Sequence, residues 1–236
     1  MHRRARHIAL SARSAGALVM LDSRTITGLS GGANVSSWAS LGTQSITMAG
    51  VATKNPTYQV SIQGGQPVVR FVATASTAMS SAFTDTLTQY THVCTFIPRL
   101  IENFKHLVST DDGSYNTIKF SVSHVTTNLS GTGVKPPTTD FYPFSTPVDV
   151  AYINSIGYTG TGLIAYRPNT TATVTVTGTT TRLCLGSRLT GSDFATSDLM
   201  QFMIFPSVIS KSLRRRFEVA ASYAFKISDI NNTAVS

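Results

Sequence analysis

Carboxylates are scarce in this chain, and their spacing does not favour catalysis. Eleven of the 236 residues are acidic, and only two of these are glutamates, Glu102 and Glu218. A glycoside hydrolase needs two carboxyl groups held about 5–10 Å apart. No predicted strand carries two acids at alternate positions, and neither a P-loop nor an H-E-x-x-H motif occurs. The sequence therefore predicts a protein that is not an enzyme.

Residues of types that can bind metals are clustered in one predicted hairpin. Asp111 and Asp112 lie in its turn, with His106 and His124 on its two arms. A calcium ion takes about 6–8 oxygen ligands, and no other acidic residue is near in sequence. Two histidines alone do not specify a metal. The sequence predicts a turn here, with no metal and no cofactor.

Three further residues that could do chemistry are interpreted as structural. His92 lies in an apolar strand, which favours a hydrogen-bonded core histidine. Cys94 and Cys184 also lie in predicted strands, where each is typical of a small buried hydrophobe. Two cysteines this far apart do not form a disulfide framework, so we expect free thiols.

Positive charge is concentrated near the two ends of a chain whose net charge is +8. A basic cluster at Lys211 and residues 214–216 is predicted to be a solvated helix face. The other cluster lies in the first 16 residues, which we expect to be extended or ordered only by a partner. Such an arm can be a solvated terminus, can dock on an acidic protein surface, or can contact nucleic acid. The second option is preferred, since aromatic residues do not interleave the charges. The predicted anchoring residues are Arg3, Arg4, Arg6 and Arg13.

An aromatic cluster lies in the longest segment without hydrophobic periodicity, residues 128–147. Its aromatic residues are Phe141, Tyr142 and Phe144, and four prolines stiffen it. A loop of this length in a compact domain tends to be functional. The aromatic residues could contact a partner protein or stack on a carbohydrate. Alternatively, the segment folds back to cap one end of the domain.

Composition indicates the class of fold that positions these residues. Hydrophobic residues make up 42%, which is enough for a sizeable core, and charged residues only 13%, against about 25% in typical domains. The polar surface must therefore be rich in Thr and Ser, which suit strands. The length fits one large all-β domain. No stretch approaches the roughly 18 apolar residues of a membrane-spanning helix, so no membrane partner is expected.

The order of motifs from residue 31 to residue 71 resembles one known family. Trp38, the only tryptophan, is followed by Pro56-Thr57-Tyr58, the turn at Gly64-Gly65 and the strand Gln66–Phe71. This order is similar to the N-terminal half of laminin-G-like, or concanavalin A-like, jelly-roll domains. Such domains occur in phage virion proteins and bacterial surface proteins. We interpret Trp38 as a core residue, since it buries a large area.

The C-terminal third extends the resemblance. Leu183–Arg188 is similar to the family's "L-x-L-G-x-R" segment, and Leu199–Phe205 to its last core strand, where Gln201 stands in place of a glutamate. Ser210–Phe225 is similar to its terminal helix, with Ser210 as a suitable N-cap. The predicted apolar stripe of that helix consists of Leu213, Phe217, Ala220 and Ala224.

The resemblance implies an all-β, two-sheet antiparallel jelly-roll sandwich with one C-terminal helix. The expected boundaries are a basic N-terminal arm at 1–16, the sandwich at 17–227 with its helix at 210–225, and a tail at 228–236. One fold hosts many functions, so the function has to be inferred from the residues.

Two functional hypotheses follow. The first is a structural virion protein, a phage capsid decoration, cement or spike protein anchored through its basic arm. Its partners would be capsid or other virion proteins, with the chain forming a homo-oligomer on a particle and located in the virion. The alternative is a lectin-like module of a tail fibre or surface protein that binds glycans through the aromatic segment and Trp38. A capsid shell subunit whose arm contacts the genome is a weaker third hypothesis.

Overall fold

The chain folds into two packed antiparallel sheets with one helix on the outer face of the first. The computed structural model describes residues 8, 11–51, 54–85, 89–100, 105–111, 121–125, 131–134, 141–145, 148–159, 162–165, 170–173, 180–187 and 193–227. Within these residues each sheet has eight strands. The predicted all-β sandwich with a C-terminal helix is confirmed. The tail at 228–236 lies outside the described residues.

Strands are numbered in chain order from β1 to β16. The first sheet has the order β14-β13-β12-β7-β16-β5-β4, with β1 also paired to β16. Its strands are β1 (Val19–Asp22), β4 (Thr57–Gln63), β5 (Gln66–Phe71), β7 (Tyr90–Leu100), β12 (Tyr152–Tyr158), β13 (Gly162–Ala165), β14 (Thr170–Thr173) and β16 (Thr196–Phe205).

The second sheet has the order β11-β10-β9-β8-β15-β6-β3-β2. Its strands are β2 (Ser37–Ala39), β3 (Thr47–Gly50), β6 (Met79–Asp85), β8 (Lys105–Asp111), β9 (Ser121–Val125), β10 (Gly131–Val134), β11 (Phe141–Ser145) and β15 (Thr180–Leu185).

The main hydrophobic core lies between the sheets. It contains Trp38, Phe96 and Phe202, with Cys94 beside them. Successive strand residues point to opposite faces, so the neighbouring Val93 and Ile97 of β7 face outward, where they join two smaller apolar clusters. Both faces of this strand are therefore buried. Cys94 and Cys184 are both buried free thiols, as predicted.

The outer face of the first sheet is covered by helix α1 (Lys211–Phe225) and by a short helical turn at residues 11–14. Ala12 of that turn is fully buried with Met203, Phe205 and Phe217. The prediction that the arm is extended or ordered only by a partner is therefore wrong for residues 11–16, because this part of the arm packs on the chain's own apolar sheet face.

The N-terminus of helix α1 follows the sequence prediction. The Oγ of Ser210 accepts a hydrogen bond from the backbone N–H of Leu213 at 3.2 Å, which satisfies one of the free donors of the first turn.

The buried face of helix α1 differs from the predicted stripe. Leu213, Ala220 and Ala224 are only half-buried, whereas Arg214 is buried and was wrongly placed on the wet side. The reason is an ion pair of 2.5 Å between Arg214 and Glu218, one helical turn apart, which lets two charges enter the interface together. The buried residues are Arg214, Phe217, Glu218, Ala221 and Phe225.

Residues 128–147 also differ from the prediction. Gly131–Val134 and Phe141–Ser145 are paired strands rather than one loop, with Gly131 opposite Ser145 and Thr132 opposite Phe144. The register shifts between Thr132 and Val134, which marks a bulge. Hydrophobic periodicity did not reveal these strands because Gly133 interrupts the first and Pro143 interrupts the second.

Candidate functional site

The predicted anchoring residues are only partly within the described chain. Arg3, Arg4 and Arg6 lie outside it. Arg13 is exposed on the helical turn at 11–14. Ser11 and Ser14 of the same turn line one wall of a groove of about 660 Å³.

The opposite wall of this groove is formed by helix α1 through Leu213, Arg216, Phe217 and Ala220. Arg216 is exposed and is the one charged residue among those that line the groove. The structure thus places the helical turn that carries Arg13 against the helix that carries the second basic cluster. Sequence reasoning treated the two clusters separately.

The predicted aromatic residues Phe141, Tyr142 and Phe144 all lie on β11, the last strand at one edge of the second sheet. An edge strand leaves one row of backbone groups without a neighbouring strand. The predicted cluster is therefore on a strand, not in a loop, and this strand is at the sheet edge among the described strands.

Trp38 does not contribute to a surface platform. Its side chain is 2% exposed within the core between the sheets. The core interpretation of this residue is confirmed, and its suggested contribution to a glycan site is wrong, because a buried indole cannot contact a sugar.

A cluster of two arginines and two aspartates was missed by sequence analysis. Its members, Arg70, Arg99, Asp149 and Asp198, come from different elements, so no short motif marks them. Arg70, Arg99 and Asp198 each lie two residues along a strand from a member of the apolar cluster beneath the end of helix α1, and the period of a strand keeps them on the same outer face. Those apolar residues are Val68, Ile97 and Met200. Asp149 lies in a turn before β12.

Asp198 is at the centre of this arginine–aspartate cluster. Its side chain is 0% exposed, and it is paired directly with Arg70 across β16 and β5. Arg70 donates from Nε to Oδ1 at 2.7 Å and from Nη2 to Oδ2 at 2.8 Å. Arg99 donates from Nε to Oδ2 at 2.7 Å. The hydrogen bond to Asp198 raises the pKa of the Arg70 guanidinium, so Arg70 remains charged.

Asp149 completes the cluster at its exposed side. Its Oδ1 accepts a hydrogen bond of 2.6 Å from Nη1 of Arg99, although its own side chain is 65% exposed. The backbone of Asp149 has a φ of +62°, a left-handed conformation that non-glycine residues adopt at a cost. Three apolar side chains flank this edge, and each is almost half-exposed: Leu100, Val148 and Val150.

Residues that could support catalysis are engaged elsewhere in the described chain. His92 is fully buried between Tyr90 and Phe202, and burial lowers its pKa to about 3, so it is a neutral core group at ordinary pH. Residues 28–32 read G-x-S-x-G, the pattern of a nucleophile elbow, but they form a turn that leads to β2 instead of a strand-to-helix turn.

The described residues contain no group of three or more His, Cys, Asp or Glu side chains placed to hold a metal ion. His106 is buried on β8; Asp112 lies outside the described residues. None of the helices in the described part of the chain has the length and apolar character to cross a membrane.

Comparison with known proteins gives structural matches alone. No protein-family model matches the chain, and no curated protein sequence matches it. A Trypanosoma rangeli sialidase in complex with 2,3-difluorosialic acid matches with a TM-score of 0.57 at 12% identity, over 97% of this chain and 39% of the sialidase. The binding domain of botulinum neurotoxin DC in complex with SialylT matches with a TM-score of 0.58 at 9% identity, over 87% of this chain and 52% of that domain.

The fold is a lectin-like β-sandwich. A structure described as showing that cell entry of botulinum neurotoxin type C depends on two ganglioside molecules matches similarly, with a TM-score of 0.59 at 9% identity, over 89% of this chain and 53% of that one. At such low identity these matches establish the fold alone. The chain spans about two fifths of the sialidase and about half of the toxin structures.

Proposed function

We propose that this chain is a non-enzymatic carbohydrate-binding recognition module. The observation that carries the proposal is the concentration of Phe141, Tyr142 and Phe144 on β11, an edge strand of a lectin-like sandwich. The comparisons support the same class, since a toxin binding domain with SialylT and a structure concerned with ganglioside interaction share the fold.

Aromatic residues suit this function for a physical reason. A sugar ring has an apolar face of C–H groups, and an aromatic ring removes that face from water at a small cost in side-chain entropy. Among the described strands β11 pairs with β10 alone, so the backbone groups of its other edge are available to bond sugar hydroxyls. Pro143, between Tyr142 and Phe144, limits the backbone freedom that binding would otherwise have to restrict.

The carboxylates support a binding function over catalysis. Asp149 and Asp198 both bind Arg99. Asp22 binds Arg24 and Glu218 binds Arg214. A general acid or base needs a carboxyl group that can exchange a proton with substrate, and each of these carboxylates is instead held by a guanidinium.

The proposal is tested with a glycan array and a paired variant. The double substitution Tyr142→Ala with Phe144→Ala should weaken glycan binding about ten-fold or more, because two stacking contacts are lost. Tyr223→Ala is the matched control, since this tyrosine is 81% exposed on helix α1, far in the chain from β11. Equal glycan binding by all three proteins would place the site elsewhere, and an array without any bound glycan would refute the proposed function.

A second proposal is that the chain is a structural phage virion protein, present in many copies and anchored to capsid or other virion proteins. It is supported by the exposed Arg13 on the helical turn that forms one wall of the groove, and by the exposed Arg216 in the opposite wall. Both cations could contact an acidic protein surface, with nucleic acid a less favoured partner.

Co-sedimentation with candidate particles tests this anchoring. Deleting residues 1–16 is unsuitable because it would remove the buried Ala12. Replacing Arg3, Arg4, Arg6 and Arg13 with Gln removes four charges and keeps the packed turn. The variant should no longer sediment with particles, whereas Lys54→Gln, at a separate exposed position, should. Sedimentation of both variants at moderate salt would exclude an electrostatic anchor.

A further inference from the structure

In the arginine–aspartate cluster, two guanidinium groups bind one buried carboxylate, although one would neutralise its charge. Asp198 is fully buried and is bound by two guanidinium groups, those of Arg70 and Arg99. Both donate to the same oxygen, Oδ2, so the two groups lie side by side. Their side chains are 31% and 23% exposed. One carboxylate neutralises one guanidinium, which leaves one positive charge at the surface.

Among the contacts described for the cluster, Asp149 is the one other carboxylate, and it offsets this remaining charge. Its carboxylate is mostly exposed and touches a single nitrogen, Nη1 of Arg99. Its backbone N–H is bound to the carbonyl oxygen of Pro98 at 2.8 Å, which fixes the main chain while the side chain stays accessible. An exposed ion pair of this kind contributes little stability. Another carboxylate can therefore replace Asp149 on Arg99 at a small cost.

The surroundings of Arg99 suit a ligand with both a charge and an apolar face. Leu100, Val148 and Val150 are 44%, 45% and 46% exposed, and all are sequence neighbours of Arg99 or Asp149. Arginine binds carboxylates through a planar fork of parallel donors. Nε and Nη2 of Arg99 already bind Asp198, so a carboxylated sugar offers an anion for Nη1 in place of Asp149, and ring C–H groups for the apolar rim.

We propose that Arg70 and Arg99, with Asp149 as a replaceable internal competitor, form a binding site for the carboxylate of an acidic sugar. The proposal rests on the proposed glycan-binding function and adds a charge-selective contact on the sheet opposite β11. Sialic acids and uronic acids share this carboxylate, so both classes have to be compared.

The test is a titration of the full chain, by calorimetry or NMR, with 3′-sialyllactose, with neutral lactose and with a uronic-acid oligosaccharide. Asp149→Asn removes the competing charge and keeps a residue type that tolerates a left-handed backbone. This variant should bind the acidic sugar about two- to five-fold more tightly, the size expected for one exposed charge pair, with lactose binding unchanged. Asp193→Asn is the matched control, because Asp193 also has a positive φ, of 59°, but belongs to a different segment; it should leave binding unchanged.

A second variant tests the arginine itself. Arg99→Lys keeps a positive charge beside Asp198, so the fold should persist, but it loses the planar fork. Binding of the acidic sugar should fall about ten-fold, with thermal melting used to confirm folding. The acidic sugar that responds to both variants, sialylated or uronic, identifies the ligand class.

The outcomes distinguish the proposed acidic-sugar site at Arg70 and Arg99 from the proposed glycan-binding function as a whole. Unchanged binding of acidic sugars by Asp149→Asn, together with a lower melting temperature for Arg99→Lys, would show that the cluster only joins strands and would overturn the inference. Retained binding of lactose in that case would leave glycan recognition through β11 intact. No binding of any sugar by any of the proteins would refute both.

Discussion

The amide nitrogen of Gln201 donates a hydrogen bond of 3.0 Å to Oδ2 of Asp22, and both side chains are fully buried. The two residues are directly opposite each other across β16 and β1. Arg24 donates to the same carboxylate from Nε at 2.8 Å and lies over the ring of Phe225 at 4.8 Å. Asp22 therefore connects the first strand, the last strand and helix α1.

This relationship explains why a glutamine suits a position where the resembled family has a glutamate. Gln201→Glu would replace a donor by a second carboxylate beside buried Asp22. We expect a loss of about 3 kcal/mol or more of unfolding free energy, as for an uncompensated buried charge, measured by urea denaturation. Gln44→Glu, the same change at a half-buried position between β2 and β3, should cost less than about 0.5 kcal/mol. Equal losses would mean that the Asp22 contact is unimportant.

The Arg214–Glu218 pair should be essential to the packing of helix α1. Glu218→Gln leaves the Arg214 charge buried with a neutral partner, so we expect a loss of about 3–5 kcal/mol. Arg216→Gln, at an exposed position two residues further along the helix, should change stability by less than about 0.5 kcal/mol. The double variant Arg214→Met with Glu218→Leu should recover much of the loss, because no unpaired charge is then buried. Denaturation curves of the four proteins would contradict this account if Glu218→Gln matched Arg216→Gln.

His92 should make the protein sensitive to acid. Burial lowers its pKa from 6.5 to about 3 in the folded state. Between these two pH values His92 is protonated in the unfolded chain but neutral in the folded chain. The free energy of unfolding therefore falls as the pH decreases from about 6.5 towards 3. The slope contributed by one such group approaches about 1.4 kcal/mol per pH unit.

The test for His92 is His92→Phe, which keeps an aromatic ring beside Tyr90 and Phe202. The stability of this variant relative to the natural protein should increase as the pH falls from 7 to 5. A difference that stays constant over this range would show that His92 does not control the acid response.

Substitution of Gly186 should be destabilising for two reasons, its positive φ and its close neighbours, and Gly65 serves as a control that has only the first. It has a φ of +78°, and a Cβ added there would overlap the ring of Phe71 and lie 2.8 Å from the carbonyl oxygen of Thr77. Gly65 has a φ of +77° but open space around it. Gly65→Ala should cost about 1 kcal/mol for backbone strain, and Gly186→Ala about 1–3 kcal/mol more for overpacking. Thermal melting measures both; similar losses would show that Phe71 moves aside freely.

Local patterns determined much of the fold. The apolar strand that contains His92, the Ser210 cap and the buried thiols follow from apolar periodicity and capping chemistry, which act over a few neighbouring residues. The interpretation of Trp38 as a core residue also needed only its large apolar area. The paired strands within residues 128–147 were missed because a strand interrupted by Gly and Pro gives no periodic signal.

By itself, then, the sequence determined an all-β chain with a terminal helix, since composition and period are properties of the chain, and the resemblance to jelly-roll domains implied the sandwich. Only the tertiary structure decided which charges are buried and which are available. Arg70 and Asp198 are 128 residues apart, and Asp22 and Gln201 are 179 apart. Burying a charge is costly unless an oppositely charged or hydrogen-bonding group lies beside it. Strand pairing between distant parts of the chain determines which residues become such neighbours.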